Sequence, residues 1–161
     1  MNRKKAMRIE LRDSLENLFP DSVVAARPCR RMTLDVARNG TAAVHILIND
    51  VPVDTPLKVA VCTNGQVVRD AQWFQLQDVP VEENTGLVGF TTHTTKLNVF
   101  PHEGKRNAPN PHVIREAPFR AIDILQPVRG AVRPEASTTA LRLHLPVAAN
   151  ARAGVRTFAI E

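Results

Sequence analysis

The stretch that decides the fold lies near the end of the chain and reads Thr139-Ala-Leu-Arg-Leu-His-Leu-Pro-Val147. Its leucines fall on one face, whereas Arg142 and His144 fall on the other. This alternation predicts a half-buried β-strand, because successive side chains of a strand point to opposite faces. A turn over 148–154 and a second short apolar stretch, Val155–Ile160, follow it, so the end of the chain predicts a hairpin with a long loop.

The same alternation recurs upstream at intervals of about 10 to 15 residues, separated by turn signals such as Asn39-Gly40 and Asn64-Gly65. Near the start, residues 4–18 fit both helical and strand spacing, and we favour a strand that ends in a turn at Phe19-Pro20-Asp21. Pro80 indicates a strand end or a sheet edge. We expect further strands at 32–36, 41–48, 57–61 and 117–125, and one more that comprises 72–76 and 79–81.

Many short strands with turns between them are typical of an all-β protein. We therefore predict an antiparallel β-sandwich of immunoglobulin or jelly-roll type over residues 9–161, preceded by a basic flexible tail at 1–8. Residues 82–116 are rich in glycine and proline and lack periodicity, so we expect a long irregular loop there. A loop of this length in a compact domain is functional, an interface or mobile.

The amino-acid composition argues against several classes of function. The chain has 161 residues, of which 43% are apolar, which suits one domain with a real core and excludes disorder throughout. Aromatic residues make up only 4%, which weakens a role in stacking on sugars or single-stranded nucleic acid. The net charge of +5 comes from arginines dispersed among acidic residues, so we expect no nucleic-acid partner.

The chain shows no targeting or membrane-spanning signal. No window approaches the roughly 18 consecutive apolar residues that a transmembrane helix needs, so we expect no membrane association. No apolar stretch follows the basic N-terminus, so we see no signal peptide and take a cytoplasmic location as the default.

We expect neither a metal nor another cofactor. The five histidines show neither the HxH nor the HExxH pattern, and the two cysteines, Cys29 and Cys62, lack CxxC spacing. A single disulfide remains an alternative to two free, mostly buried thiols, which we favour. His45 and His144 lie opposite the apolar faces of their strands, so we expect them at the surface.

Other candidate chemistry is sparse. Glu82 and Glu83 form a carboxylate pair, but adjacent strand residues point to opposite faces, which favours a loop or interface role over catalysis. No nucleophile elbow or phosphate-binding glycine loop occurs.

Trp73 and Phe74 are adjacent and should also point to opposite faces of their strand. We expect Trp73 in the core, although an exposed Trp73 would offer a surface for stacking.

Three stretches together carry a family resemblance: Val79–Gly86, Asn110–Arg120 and Ser137–Val147. In order and spacing the chain resembles the N-terminal β-sandwich of bacterial glycoside hydrolase family 123-like proteins, which contain a domain of unknown function 4091. The resemblance implies a sandwich followed by a (β/α)8 barrel. In that barrel an adjacent Asp-Glu pair and the substrate's own 2-acetamido group hydrolyse β-N-acetylgalactosaminides.

This chain contains no adjacent Asp-Glu pair, so no catalytic residue is carried over from the family, and we expect it to lack the barrel. The prediction is a non-catalytic accessory domain whose partner is the barrel of the same parent protein. A stand-alone carbohydrate-binding module and a small enzyme are the alternatives. The residues we expect at the interface or in contact with a glycan are Trp73, Glu82, Glu83, Asn84, Asn110, His112, Arg115 and Arg120.

Overall fold

The computed structural model describes residues 6–82 and 114–161, and this part of the chain is all β, with no helix. Its strands are β1 (Arg8–Asp13), β2 (Thr41–Asn49), β3 (Val61–Thr63), β4 (Gln66–Val67), β5 (Gln72–Val81), β6 (Phe119–Pro127), β7 (Thr138–Pro146) and β8 (Ala159–Ile160).

The strands form two antiparallel sheets that pack together. One has five strands in the order β1-β2-β7-β5-β6, and the other has three in the order β4-β3-β8. The long β2–β7 ladder lies at the centre of the core, with Ile46 opposite Leu141 and Val44 opposite Leu143. Val61 of the smaller sheet belongs to the same buried cluster. The predicted all-β sandwich is therefore confirmed.

The alternating pattern places β7 as expected, and it also explains β2. Valine and isoleucine at every second position of β2 suit a pleated surface that faces the core. Asn39 and Asp50, at the two ends of β2, both adopt a positive φ, which asparagine and aspartate tolerate better than most residues. The turn at Asn39-Gly40 and the end of the strand near Asn49-Asp50 are as predicted.

The strand predicted at Met32–Val36 is wrong. The chain is irregular there, with Met32 packed against the core and Leu34 exposed. The pattern predicted a partner across the Asn39-Gly40 turn. However, β1 and β7 already occupy both edges of β2, so the preceding segment has no ladder to join.

The strand predicted at 57–61 is shorter and begins only at Val61. Leu57 makes an isolated bridge to Val132, whereas Val61 pairs with Ile160, so the chain changes neighbours between them. The turn at Asn64-Gly65 is confirmed: both residues have a positive φ, and they join β3 to β4.

The strand predicted from 72–76 and 79–81 is confirmed as β5, which has a bulge between Gln77 and Asp78. The ladder with β7 runs only from Gln72 to Leu76. Beyond it, Pro80 lies in a part of β5 that pairs with β6 alone among the described strands, which suits a residue without an N–H.

The five-stranded sheet is covered on its other face as well. Residues 14–31 cross this outer face, and Leu18 packs there with Leu76 and Ala140 in a second buried cluster. Leu11 on β1 donates its N–H to the carbonyl of Cys29 at 2.9 Å, so the same segment returns along the free edge of β1. The outer face is therefore partly interior, which the strand pattern alone did not predict.

Within the described residues, no helix could cross a membrane, and no group of three His, Cys, Asp or Glu side chains could hold a metal ion. Cys29 is half-buried and Cys62 is buried, and both are free thiols.

Candidate functional site

A row of four side chains crosses the outer face of the five-stranded sheet. Arg12 of β1 lies opposite His45 of β2, His45 lies opposite Arg142 of β7, and Arg142 lies opposite Phe74 of β5. We call Arg12, His45, Arg142 and Phe74 the outer row. Because opposite residues on neighbouring strands have Cβ atoms about 5 Å apart, the row places two guanidinium groups on either side of one imidazole.

Glu10 anchors residues 14–31, which we call the covering segment, at one end of this face. Its carboxylate forms a 2.8 Å ion pair with Arg12 and accepts the backbone N–H groups of Ala25 and Cys29. Only 5% of the residue is exposed. Burial raises the pKa of Glu10, but the hydrogen bonds from Ala25, Arg12 and Cys29 outweigh it, so the net pKa lies below its usual value.

Asn49 performs a similar task at the neighbouring end of β2. Its side-chain oxygen accepts the N–H of Val24 at 2.6 Å, and its Nδ2 donates to the carbonyl of Ser22 and the hydroxyl of Thr138, both at 3.1 Å. Buried polar groups need partners of this kind, so Glu10 and Asn49 together account for how the irregular segment stays on the sheet.

His45 is buried, which corrects the expectation that it lies at the surface. It is 7% exposed, and neither ring nitrogen has a hydrogen-bond partner in the structure. Burial, followed by the positive charge of Arg142, lowers the pKa of His45 to about 4, against the opposing effect of Asp13. His45 is therefore neutral at physiological pH.

Arg142 and His144 form a pair on the outer face of β7. The Nε of Arg142 donates to Nε2 of His144 at 2.8 Å, which fixes the direction of the guanidinium plane. The His144 ring lies 4.9 Å from that of Phe74, between centroids. Burial, and then the charge of Arg142, lowers the pKa of His144. His144 is half-buried and is therefore less exposed than the surface position that the sequence predicted.

A second cluster lies where β5 ends and β6 begins. Arg115 binds both carboxylate oxygens of Asp21, with its Nη1 at 3.0 Å and its Nη2 at 2.5 Å. The guanidinium carbon of Arg115 also lies 4.3 Å from the ring centroid of Phe19, whose ring meets that of Phe119 edge-on. Bidentate pairing and contact with an aromatic face both suit arginine rather than lysine.

Arg120 follows Phe119 on β6 and forms an ion pair with Asp78 of β5. The hydrogen bond and charge of Asp78, with a smaller contribution from Glu82, raise the pKa of Arg120. We call these residues, on both sides of the β5–β6 ladder, the strand-end cluster: Phe19, Asp21, Asp78, Arg115, Phe119 and Arg120. Glu82 is exposed beside it.

Trp73 lies at the opposite end of β5. It is half-buried and packs against the main core, as expected, but it also lines a cleft of about 460 Å³. The other lining residues include Val59, Ala71, Gln72, Phe74, Pro127 and Val128. A cleft of this size, with aromatic walls and one amide, has the dimensions of a small-ligand site.

The predicted site residues therefore do not form one site. Trp73 and Val81 are eight positions apart on β5, which at about 3.3 Å per residue separates the cleft from the strand-end cluster by about 25 Å. Arg115, Arg120 and Glu82 come together at one end, as the interface prediction requires. Glu83, Asn84, Asn110 and His112 lie outside the described residues.

Sequence reasoning missed the part played by Glu10 and by the outer row. A signal was present, because Glu10 and Arg12 alternate with Ile9 and Leu11 at strand spacing. Charged residues in such positions are ordinarily assigned to solvent. Only the covering segment, which is remote in sequence from β2 and β7, turns them into buried groups.

No protein-family model matches the sequence, and a search of the curated proteins finds no match either.

Proposed function

We propose that this chain is a non-catalytic accessory β-sandwich of a glycoside hydrolase family 123-like protein, and that it packs against a (β/α)8 catalytic barrel. One observation supports the proposal most directly. The resemblance rests partly on Val79–Gly86 and Asn110–Arg120, and the described ends of these two stretches, 79–82 and 114–120, meet where β5 pairs with β6. Val79 pairs with Ala121, Pro80 with Arg120 and Val81 with Phe119.

The surface around this pairing has the composition of a docking site. Ile114 is 70% exposed, and Ile124 on β6 is exposed as well. Arg120 and Glu82 add one exposed charge of each sign. Apolar side chains and arginine are enriched at the centres of protein interfaces, with charged groups around them.

The strand-end cluster is also held in place before any partner binds. Arg115 is fixed by Asp21 and by the ring of Phe19, and Arg120 is fixed by Asp78. Association costs less conformational entropy when the contacting side chains are already ordered. A fixed arginine pair beside exposed isoleucines therefore favours docking of a folded domain over a flexible loop contact.

Sedimentation velocity of this chain mixed with a separately expressed family 123-like barrel tests the proposal. We expect a one-to-one complex, which Ile114→Asp and Arg120→Glu each weaken by about tenfold or more, as loss of a central contact does. Arg69→Glu is the matched control, because Arg69 is exposed between β4 and β5, at the other end of β5. Absence of a complex, or equal weakening by all three variants, would exclude docking through this surface.

A second candidate function is glycan binding. The observation that favours it is that the single tryptophan of the chain lines the cleft together with Phe74 and Gln72. An aromatic face and a side-chain amide are the groups that stack on a sugar ring and bond to its hydroxyls. This function would belong to the cleft and not to the strand-end cluster, so the two candidates can be tested separately.

A further inference from the structure

Arg142 presents one side of its guanidinium without an acceptor. Its Nε is used by His144, but neither terminal nitrogen, Nη1 nor Nη2, has a protein partner among the described residues. The side chain is half-buried on the outer face, and neither nitrogen is enclosed. A guanidinium whose orientation is set at Nε and whose remaining edge is open is prepared to receive a planar oxyanion.

Carboxylate acceptors reach only one end of the outer row. Both carboxylates near its far end, those of Glu10 and Glu16, are ion-paired with Arg12. Asp13 accepts the backbone N–H of Leu15. Even so, the Nε of Arg12 and both ring nitrogens of His45 are buried without partners. Among the described residues, the carboxylates of this face are therefore concentrated at Arg12, and Arg142 has only the ring nitrogen of His144 as an acceptor.

Arg142 is linked to the cleft by one hydrogen bond and one ring contact, and it lies opposite Phe74 on the neighbouring strand. His144 accepts from Arg142, the ring of His144 meets the ring of Phe74, and Phe74 is one of the residues that line the cleft. A ligand that lies on Phe74 can therefore present a charged group to Arg142. Its apolar part would face the aromatic lining of the cleft.

We propose that Arg142, with His144 and Phe74, binds the carboxylate group of a small ligand at the edge of the Trp73 cleft. The planar fork of arginine matches the two oxygens of a carboxylate, and Phe74 supports the carbon skeleton that carries it. The carboxylate can belong to a simple organic acid or to an acidic sugar. This assignment does not rest on docking to a barrel and remains testable if docking fails.

The bound carboxylate would also change the charge around His144. Arg142 and burial now lower the pKa of His144, and on the neighbouring strand His45 is held neutral beside it. An anion at Arg142 opposes that positive charge, so occupancy should raise the pKa of His144. The side-chain resonance of His144 therefore reports binding at this site directly.

The test is a titration followed by histidine side-chain NMR at constant ionic strength. The probes are acetate, glucuronate and, as the uncharged control, glucose. We expect both carboxylates to shift the His144 resonance with millimolar affinity and glucose to leave it unchanged. Tighter binding of glucuronate than of acetate would assign the site to acidic sugars, and equal binding would assign it to the carboxylate alone.

Three variants decide the role of Arg142. Arg142→Gln removes the fork, Arg142→Lys keeps the charge and is the safer variant for folding, and Arg120→Gln removes an exposed charge at the other end of β5. We expect affinity to fall about tenfold or more in the first, severalfold in the second, and not at all in the third. The proposal is overturned if neither carboxylate shifts His144 at about 50 mM, a concentration that would detect even millimolar binding. Wild-type affinity in Arg142→Lys, or a glucose shift equal to that of glucuronate, would overturn it too.

Discussion

Buried Glu10 and half-buried Arg12, two residues apart on β1, form a 2.8 Å ion pair that joins the outer face of the sheet to the segment lying over it. Arg12 donates to the carbonyl of Val23, and Glu10 accepts from the N–H of Ala25. The pair thus holds an irregular segment through its backbone, in addition to the burial of its Leu18 and Val24 side chains. A buried carboxylate with several donors has a defined geometry, and removing it leaves each donor unsatisfied.

Replacing Glu10 with alanine should destabilise the fold strongly. The change removes one of the two carboxylates that pair with Arg12 and leaves the N–H groups of Ala25 and Cys29 without their acceptor. We expect the free energy of unfolding to fall by about 2 kcal/mol, because buried donors that lose their acceptor are costly. Urea unfolding measures it.

Glu16→Ala is the control for that variant, because Glu16 pairs with the same arginine from a more exposed position. We expect a loss below about 1 kcal/mol, typical of an exposed pair four residues apart. Equal losses in the two variants would show that the backbone hydrogen bonds of Glu10 contribute nothing measurable.

The burial of His45 should make the fold sensitive to mild acid. The pKa of His45 is about 4 in the folded protein and 6.5 when unperturbed, so the unfolded chain binds the proton more readily. The contribution of neutral His45 is therefore complete above pH 6.5 and is lost as the pH falls towards 4. The full loss is about 3 kcal/mol on an order-of-magnitude conversion of the pKa difference.

Unfolding of the wild type and of His45→Leu between pH 7.5 and 4 measures this effect. We expect the variant to lose less stability than the wild type between pH 6.5 and about pH 5, because the site no longer gains a proton. The slope that remains comes from His144, whose pKa is also lowered, and at lower pH from Glu10. An equal pH slope in both proteins would show that His45 does not cause the acid sensitivity.

Trp73 should report any ligand that enters the cleft, because it is the only tryptophan in the chain. If the cleft binds sugar, N-acetylgalactosamine should change the intrinsic fluorescence with a dissociation constant of about 1 mM or weaker, typical of a small polar ligand. A flat titration curve would remove glycan binding as the second candidate function.

The variant that accompanies this titration is Trp73→Ala, with saturation-transfer NMR as the readout because fluorescence is lost. We expect the sugar signal to disappear in Trp73→Ala and to persist in Phe158→Ala, which removes an exposed aromatic ring elsewhere. A signal that survives in Trp73→Ala would place sugar contact outside the cleft.

The strands that the sequence predicted well are those with continuous partners on both sides. β7 and β2 pair over nine residues each, so local alternation and tertiary pairing agree. The segment at Met32–Val36 has the same alternation, but both edges of the adjacent strand β2 are already paired, and the segment stays irregular. A periodic pattern predicts which residues can share a face of a strand, but it does not predict whether a neighbouring strand is available for pairing.

The candidate sites, like the strands, were only partly predictable from the sequence. The meeting of Arg115, Arg120 and Glu82 follows from β5 and β6 forming one ladder, which the spacing of the chain allowed. The burial of His45 was not predictable, because it depends on residues 14–31 crossing the sheet. Arg142 and His144 stood out as the polar face of β7, but their contact with Phe74 depends on the β5–β7 register.

Hydrogen–deuterium exchange of this chain, alone and with a family 123-like barrel, tests the docking proposal most directly. The account predicts slower exchange on complex formation at 78–82 and 114–125, around the strand-end cluster, and unchanged exchange in β3 and β4. Ile114→Asp should abolish the protection, and Arg69→Glu should preserve it. Protection located on the smaller sheet, or no protection at barrel concentrations well above micromolar, would contradict the proposed accessory role.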